Sequence, residues 1–299
     1  MTRLGDVQRN ETRCETRSTL LTVLLWLVTA VIVVAMLLRM LPNNLDGKRY
    51  VPLVVALIPW LGLLSAVIAV FALTIRRIGK RRMLAALSAV CVVIQVAWHW
   101  GYIVPAASPA AQSMATVRVM TFNTKQGVAD AQQIVETIRE EHIEVLAMQE
   151  VSSDLLNRLN DEGIADYLPY SVTPQPTWHD NGGVNVLYSA YPLQETTENL
   201  IPIESSSIPA ATVVLNGRNV RFGSVHPFSP RPRNQGLWNK SLDSIAQLQH
   251  YGNNESYVLM GDFNSTWDHA SFRYLLGDRF TDAGQSAGEG LHMTFPAVF

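Results

Sequence analysis

The sequence predicts an α/β layered sandwich with mixed or antiparallel sheets, preceded by three transmembrane helices. Three observations predict it. Long apolar runs are confined to the first third of the chain. Short β-rich and helical segments interleave after residue 117. A two-residue hairpin turn, foreign to a purely parallel sheet, lies between two of the β-rich segments. At 299 residues the chain has room for two such units.

The charge distribution separates the units. Of 23 Lys and Arg, 12 precede Ser113, but only 4 of 25 Asp and Glu do. The N-terminal part therefore carries about +8 and the remainder about −10. A basic membrane part suits anionic headgroups. An acidic domain disfavours tight, non-specific binding of nucleic acid. The two cysteines, Cys14 and Cys91, both lie before residue 113. That excludes a disulfide framework or a Cys/His zinc site in the C-terminal part, which must be stable through its own core.

The apolar runs cover 19–41, 51–75 and 83–104, each long enough for a helix to cross about 30 Å of hydrocarbon. Arg3, Arg9, Arg13 and Arg17 precede the first run, and Arg76, Arg77, Lys80, Arg81 and Arg82 precede the third. The positive-inside rule places both basic segments in the cytoplasm. The connector at 42–50 holds only Lys48 and Arg49 and lies outside. Three crossings then put everything after Tyr102 outside. Trp98, Trp100 and Tyr102 suit an interfacial aromatic belt there, and His99 reads as a neighbour of these rings. Arg39, near a helix end, is the one charge within the spans, which argues against a transport pathway. The expected organisation is a cytoplasmic tail at 1–18, three spans within 19–104, an uncharged Pro/Ala/Ser linker at 105–116 and a domain at 117–299.

Within the domain, strands are expected at 117–122, 143–148, 184–188, 211–215, 220–225 and 257–260. The fourth and fifth pair through Asn216-Gly217. Helices are expected at 131–141, 154–159, 238–250 and 271–276. Ile134, Val135 and Ile138 set the first of these by their spacing. There are no internal repeats.

Four polar clusters each follow an expected strand: Thr121-Phe122-Asn123, Gln149-Glu150, Ser224-Val225-His226-Pro227 and Gly261-Asp262-Phe263-Asn264. Strand ends open onto loops where scaffolded side chains converge. Carboxylate and amide oxygens suit a hard cation, Mg²⁺ or Mn²⁺, which polarises a phosphoryl group. A base and an acid complete such chemistry. Singly, each residue has a plainer role: Asn123 as a turn residue, Glu150 as a surface carboxylate, His226 as a loop or core histidine, Asp262 and Asn264 as an Asx-turn. Four such clusters, each closing an apolar strand, weigh against that reading.

The strings VRVMTFNTKQG, EVLAMQEV, GGVNVLYSAYPL, FGSVHPFSP and LMGDFNSTWDH, in this order, resemble the endonuclease/exonuclease/phosphatase family. The resemblance spans about 117–296 and excludes the membrane part, although bacterial relatives with N-terminal spans are familiar. It implies a four-layer α/β sandwich with two central sheets. It further implies that Glu150 is the principal ligand of Mg²⁺ or Mn²⁺, with Asn123 a second group near the metal. Asp262 would orient or activate the attacking water. Asn264 would hold phosphoryl oxygens, and His226 would contact the scissile phosphate as donor or acid. Arg231 and Arg233, just after His226, could add a phosphate contact.

The family pattern closes with a strand bearing an Asp-His pair after a segment like Met293-Thr294-Phe295-Pro296. Here the sequence stops at Phe299, and no such pair follows. The last strand of a central sheet is then expected to be lacking, leaving an edge. Truncation, a degenerate enzyme, or substitution by His269 or His292 would each account for this. The match runs up to the end, which favours truncation. The leading expectation is a membrane-anchored, metal-dependent phosphoesterase acting outside the cytoplasm on nucleic acid, a phospholipid headgroup or a small phosphate ester. No obligate protein partner is inferred. The competing expectation is an inactive member that binds a phosphorylated ligand or partner.

Overall fold

The computed structural model describes residues 2–74, 80–105, 116–177, 180–252 and 255–291, with side chains from residue 19 onward. The linker expected at 105–116, His292 and the segment 293–296 lie wholly or largely outside these residues.

The N-terminal third is helical: α1 Thr2–Leu38, α2 Asn43–Asp46, α3 Val51–Ala56, α4 Ile58–Thr74, α5 Arg81–Trp98 and α6 Trp100–Ile103. Among the described residues, two stretches, Thr19–Leu38 and Arg81–Trp98, are long and apolar enough to cross a membrane, where three were expected. The second run is broken at Leu57 into α3 and α4, because Pro59 has no N–H to continue the ladder from Val55. The 17 residues of α4 rise about 25 Å, short of the hydrocarbon thickness. The third run likewise stops at Trp98. Helices α1, α4 and α5 pack through Ile32, Met36, Ile68, Leu84 and Cys91. Their outer faces are also apolar, with Val31 65%, Leu63 63% and Val93 67% exposed.

After residue 116 come two four-stranded sheets. The first contains β1 Val119–Asn123, β2 Val145–Val151, β3 Tyr170–Val172 and β4 Val184–Ser189 in the order β1-β2-β4-β3. The second contains β5 Gln194–Thr197, β6 Ala210–Leu215, β7 Arg218–Val225 and β8 Ser256–Gly261 in sequence order. Both sheets are mixed. β1–β2 and β7–β8 are parallel and the other pairs antiparallel. Each parallel pair needs a crossover, and a helix supplies it: α7 Ala131–Glu140 in one case and α9 Gln235–Ala246 in the other. Short edge strands β3 and β5 were not foreseen. Their exposed Tyr170, Gln194 and Glu195 give no apolar alternation to read.

The sheets face each other through Val145, Ala147 and Leu187 on one side and Ala211, Val213 and Phe222 on the other. On the far face of the first sheet, Leu146, Met148 and Val186 meet α7 and α8 Ser153–Asp161. On the far face of the second, Val225 meets α9 and α10 Ala270–Leu276 around Trp238, Leu242 and Phe272. The layer order is thus helix, sheet, sheet, helix. The last described helix, α11 Ala283–Ala287, lies against α6, where Gly290 N–H donates to Tyr102 O. Strand β2 is buried on both faces, so its sequence reads as one apolar run rather than an alternation.

The sandwich is docked on the helix ends. Asn43 Nδ2 donates to Asp243 Oδ1 at 3.0 Å, Gln235 Nε2 to Arg49 O at 2.8 Å, and Ser271 N–H to Asp46 Oδ2 at 2.9 Å. Arg39 Nε donates to Asp268 Oδ1 at 2.7 Å. His99, besides its ring neighbour Tyr102, meets Asp268 Oδ2 at 3.0 Å.

Candidate active site

The polar clusters at the ends of β1, β2, β7 and β8 come together at one end of the sandwich. Asn123, last residue of β1, points its Nδ2 at Glu150 Oε1 (2.9 Å) and Asp262 Oδ2 (3.2 Å). Its Oδ1 accepts from Lys125 N–H at 2.8 Å, which fixes the orientation of the amide. One nitrogen therefore bridges carboxylates from both sheets. His226 Nε2 lies 3.6 Å from Glu150 Oε1 and 4.0 Å from Asp262 Oδ2.

Glu150 reaches this point because β2 bulges. Met148 pairs with Val186 and Val151 with Val184, so β2 holds one residue more than its partner there. Glu150 adopts φ 57, left-handed backbone that costs a non-glycine residue about 1–2 kcal/mol. A bulge re-aims a side chain, and here it turns Glu150 into the loop cluster. Gln126 N–H donates to Glu150 Oε2 at 3.0 Å, and Thr124 Oγ1 donates to Glu150 O at 2.7 Å. Gly183, φ 141, passes so close that a Cβ there would lie 2.7 Å from the Glu150 carbonyl carbon.

His226 follows β7 and is buried, its carbonyl accepting from Ser205 Oγ (2.9 Å) and Ser206 Oγ (2.8 Å). Burial pushes its pKa below the usual histidine value, against the opposing pull of Asp262 and Glu150, so the ring is neutral at pH 7. Its buried Nδ1 has no partner among the described residues. A proton on Nε2, facing the carboxylates, avoids a buried N–H at Nδ1 with nothing to accept it. The 3.4 Å approach of Asn123 Nδ2 to Nε2 is then a contact rather than a hydrogen bond.

Asp262 accepts through Oδ1 from Asn264 N–H at 2.9 Å, an Asx-turn, while Asn264 Nδ2 donates to Pro227 O at 3.1 Å. The Asx geometry thus coexists with a place in the cluster. Asn264 lies at its margin. Arg231 and Arg233 are exposed and have no side-chain partner among the described residues. His269 is elsewhere. It is buried at the helix interface, with Nε2 on Pro52 O at 2.9 Å and Nδ1 accepting from Thr266 N–H at 2.9 Å. It does not substitute for a site histidine.

Sequence reasoning gave no role to three supports. Gln149 Nε2 donates to Ser224 Oγ (3.1 Å) and Thr121 Oγ1 (3.3 Å), tying the sheets together beneath the site. Thr124 and Gly183 shape the bulge. The Gly182-Gly183 pair was the signal available, since adjacent glycines ahead of a strand mark close backbone approach.

Among the described residues, no three His, Cys, Asp or Glu side chains form a metal cage. Glu150 and Asp262 nonetheless present two carboxylates on either side of one amide. Mg²⁺ is commonly held by one or two carboxylates, with waters and substrate phosphate completing its shell. The donor set fits such an ion.

A two-sheet sandwich flanked by helices, with carboxylates, an amide and an imidazole at the strand ends, defines a class of α/β scaffold with a polar loop-built site. The chain belongs to the Endonuclease/Exonuclease/phosphatase family, whose sequence pattern matches residues 120–297. Similar solved structures include a double mutant of Staphylococcus aureus beta toxin with bound magnesium ions (15% identity, 54% of this chain and 69% of that one, TM-score 0.45). Another is the human Nocturnin catalytic domain with a bound sulfate anion (17%, 54% and 70%, TM-score 0.42). A third is a family protein from Leptotrichia buccalis C-1013-b (17%, 54% and 72%, TM-score 0.41). No curated protein matches the chain.

Proposed function

We propose that the chain is a membrane-anchored phosphoesterase that uses Mg²⁺ or Mn²⁺ and acts on the non-cytoplasmic side. The observation that carries this reading is the meeting of Asn123, Glu150, His226 and Asp262 within hydrogen-bond or ion-pair reach, from the ends of both sheets. Glu150 would hold the cation, with Asn123 beside it. When bound, the cation polarises the phosphoryl group and offsets its charge.

The chain's own groups supply the rest. Asp262 accepts the proton of the water that attacks phosphorus; the ester P–O bond breaks, and the departing alkoxide takes a proton from Asp262 or from water. His226, protonated on Nε2, donates a hydrogen bond to a phosphoryl oxygen. Asn264 contacts the same phosphoryl group, and Arg231 or Arg233 adds a charged donor from the rim. The substrate is a phosphate ester, and the acidic domain disfavours tight, non-specific binding to nucleic acid.

Anchoring is supported by the apolar outward faces of α1, α4 and α5. Arg39 and His99, at the ends of α1 and α5, meet the same Asp268. The two helices therefore end on one side, and the chain returns between them through α4, which supports three crossings despite its length. Lys80, Arg81 and Arg82, at the start of α5, lie at the opposite end, which the positive-inside rule assigns to the cytoplasm.

The test is hydrolysis of bis(4-nitrophenyl) phosphate and 4-nitrophenyl phosphate by the full chain in detergent. Turnover should require Mg²⁺ or Mn²⁺, stop with chelator, and fall at least about a hundredfold in Glu150→Gln and Asp262→Asn. A wild type that binds Mn²⁺ but turns over neither ester would favour the binding module instead.

A further inference from the structure

The loop that carries Asp262 and Asn264 out of β8 runs straight to the helix ends. Within seven residues of Asp262 it is fastened there three times. Trp267 Nε1 donates to Trp98 O at 2.9 Å. Asp268 is held by Arg39 Nε at 2.7 Å and His99 Nε2 at 3.0 Å. His269 Nε2 donates to Pro52 O at 2.9 Å. Asp268, Arg39 and His99 are all buried.

The stretch between has little slack. Asn264 N–H is bonded to Asp262 Oδ1, Ser265 Oγ donates to Phe263 O at 2.8 Å, and Thr266 N–H donates to His269 Nδ1. Phe263 packs edge-on against Phe272 of α10, with centroids 5.7 Å apart. A displacement at Asp268 is therefore passed along a bonded chain to Asp262. A buried ion pair is a poor source of net stability, because desolvation offsets its attraction. Its geometry is better suited to fixing a position.

We propose that the membrane helices position the site loop, with Arg39 and His99 gripping Asp268 so that Asp262 and Asn264 stay in register with Asn123 and Glu150. Asp268 is thus a positioning residue, and the arrangement of α1 and α5 sets turnover. The activity readout rests on the phosphoesterase reading, whereas the structural readout does not.

The test compares wild type, Arg39→Ala, Arg39→Lys and Asn43→Ala as full chains in detergent, well below their melting transitions. Asn43→Ala removes the interface bond to Asp243 of α9, away from the loop. Bis(4-nitrophenyl) phosphate turnover and amide exchange at Asn264 are both measured. Arg39→Ala should lower kcat roughly tenfold to a hundredfold with KM within about twofold, as expected for misplacement by an ångström or less. It should also speed exchange at Asn264. Arg39→Lys should recover part of both, and Asn43→Ala should match wild type in both. Wild-type exchange at Asn264 in Arg39→Ala, or equal effects from Asn43→Ala, would overturn the proposal. If the wild type hydrolyses no ester, the phosphoesterase reading fails, and exchange at Asn264 alone decides the coupling.

Discussion

Glu150 holds left-handed backbone inside a strand, and the fold tolerates it because Gly183 leaves room beside it. Strained backbone of this kind costs about 1–3 kcal/mol and persists where the surroundings fix it. Gly183→Ala should therefore act on chemistry more than on folding. A Cβ at φ 141 would push against the Glu150 backbone, displacing its carboxylate. We expect at least about a hundredfold loss in ester turnover, with a destabilisation of about 1–3 kcal/mol by thermal melting. A second residue-scale prediction concerns His269. Burial holds its pKa below the ordinary value, despite Asp46, Asp268 and its bonds to backbone. The unfolded chain takes up a proton near pH 6.5, whereas the folded state does so only at lower pH. Stability is thus full above about pH 6.5 and falls as the pH drops below it. His226 has the same sign. Asp268, lowered by its hydrogen bonds and charges against the effect of burial, loses its contribution only below the ordinary carboxylate range. Between pH 7.5 and pH 5.5 the melting temperature of the wild type should fall relative to that of His269→Gln. A constant difference between the two would remove His269 as a source of the pH dependence.

At the scale of elements, the hairpin of β6 and β7 was legible from sequence because Asn216-Gly217 demands it. Leu215 pairs with Arg218, and the two turn residues take φ 49 and 77, as a type I′ turn requires. A Cβ at Gly217 would meet nothing. Gly217→Ala should then cost about 1 kcal/mol from backbone conformation alone, with turnover unchanged. Contrasted with Gly183→Ala, it separates a glycine required by a turn from one required by a neighbour. The crossover helices α7 and α9 were legible for a similar reason: their apolar residues fall on one face. The break at Leu57 depended on Pro59, and hydropathy alone ran past it. The bulge in β2 was not legible, because an extra residue in a strand buried on both faces leaves the apolar run looking continuous.

On the scale of the whole molecule, the helices and sandwich form one docked unit. If the basic ends are cytoplasmic, protease added to intact cells expressing the chain should digest the sandwich. An impermeant thiol reagent should reach Cys14 only after permeabilisation. Labelling of Cys14 in intact cells, with the sandwich protected, would invert the proposed topology. The acidic domain then faces away from the cytoplasm, beside the helix ends that hold its site loop.

The amino-acid sequence alone determined where apolar runs lie, which segments extend or coil, and which polar residues end the strands. These follow from local periodicity and turn chemistry, which depend on neighbours a few residues away. Only the tertiary structure decided that Asn123 bridges Glu150 and Asp262, that β2 bulges at Glu150, and that Asp268 answers Arg39 across 229 positions of chain. Such contacts depend on which buried faces pack together, and a pattern that says a face is buried does not say against what.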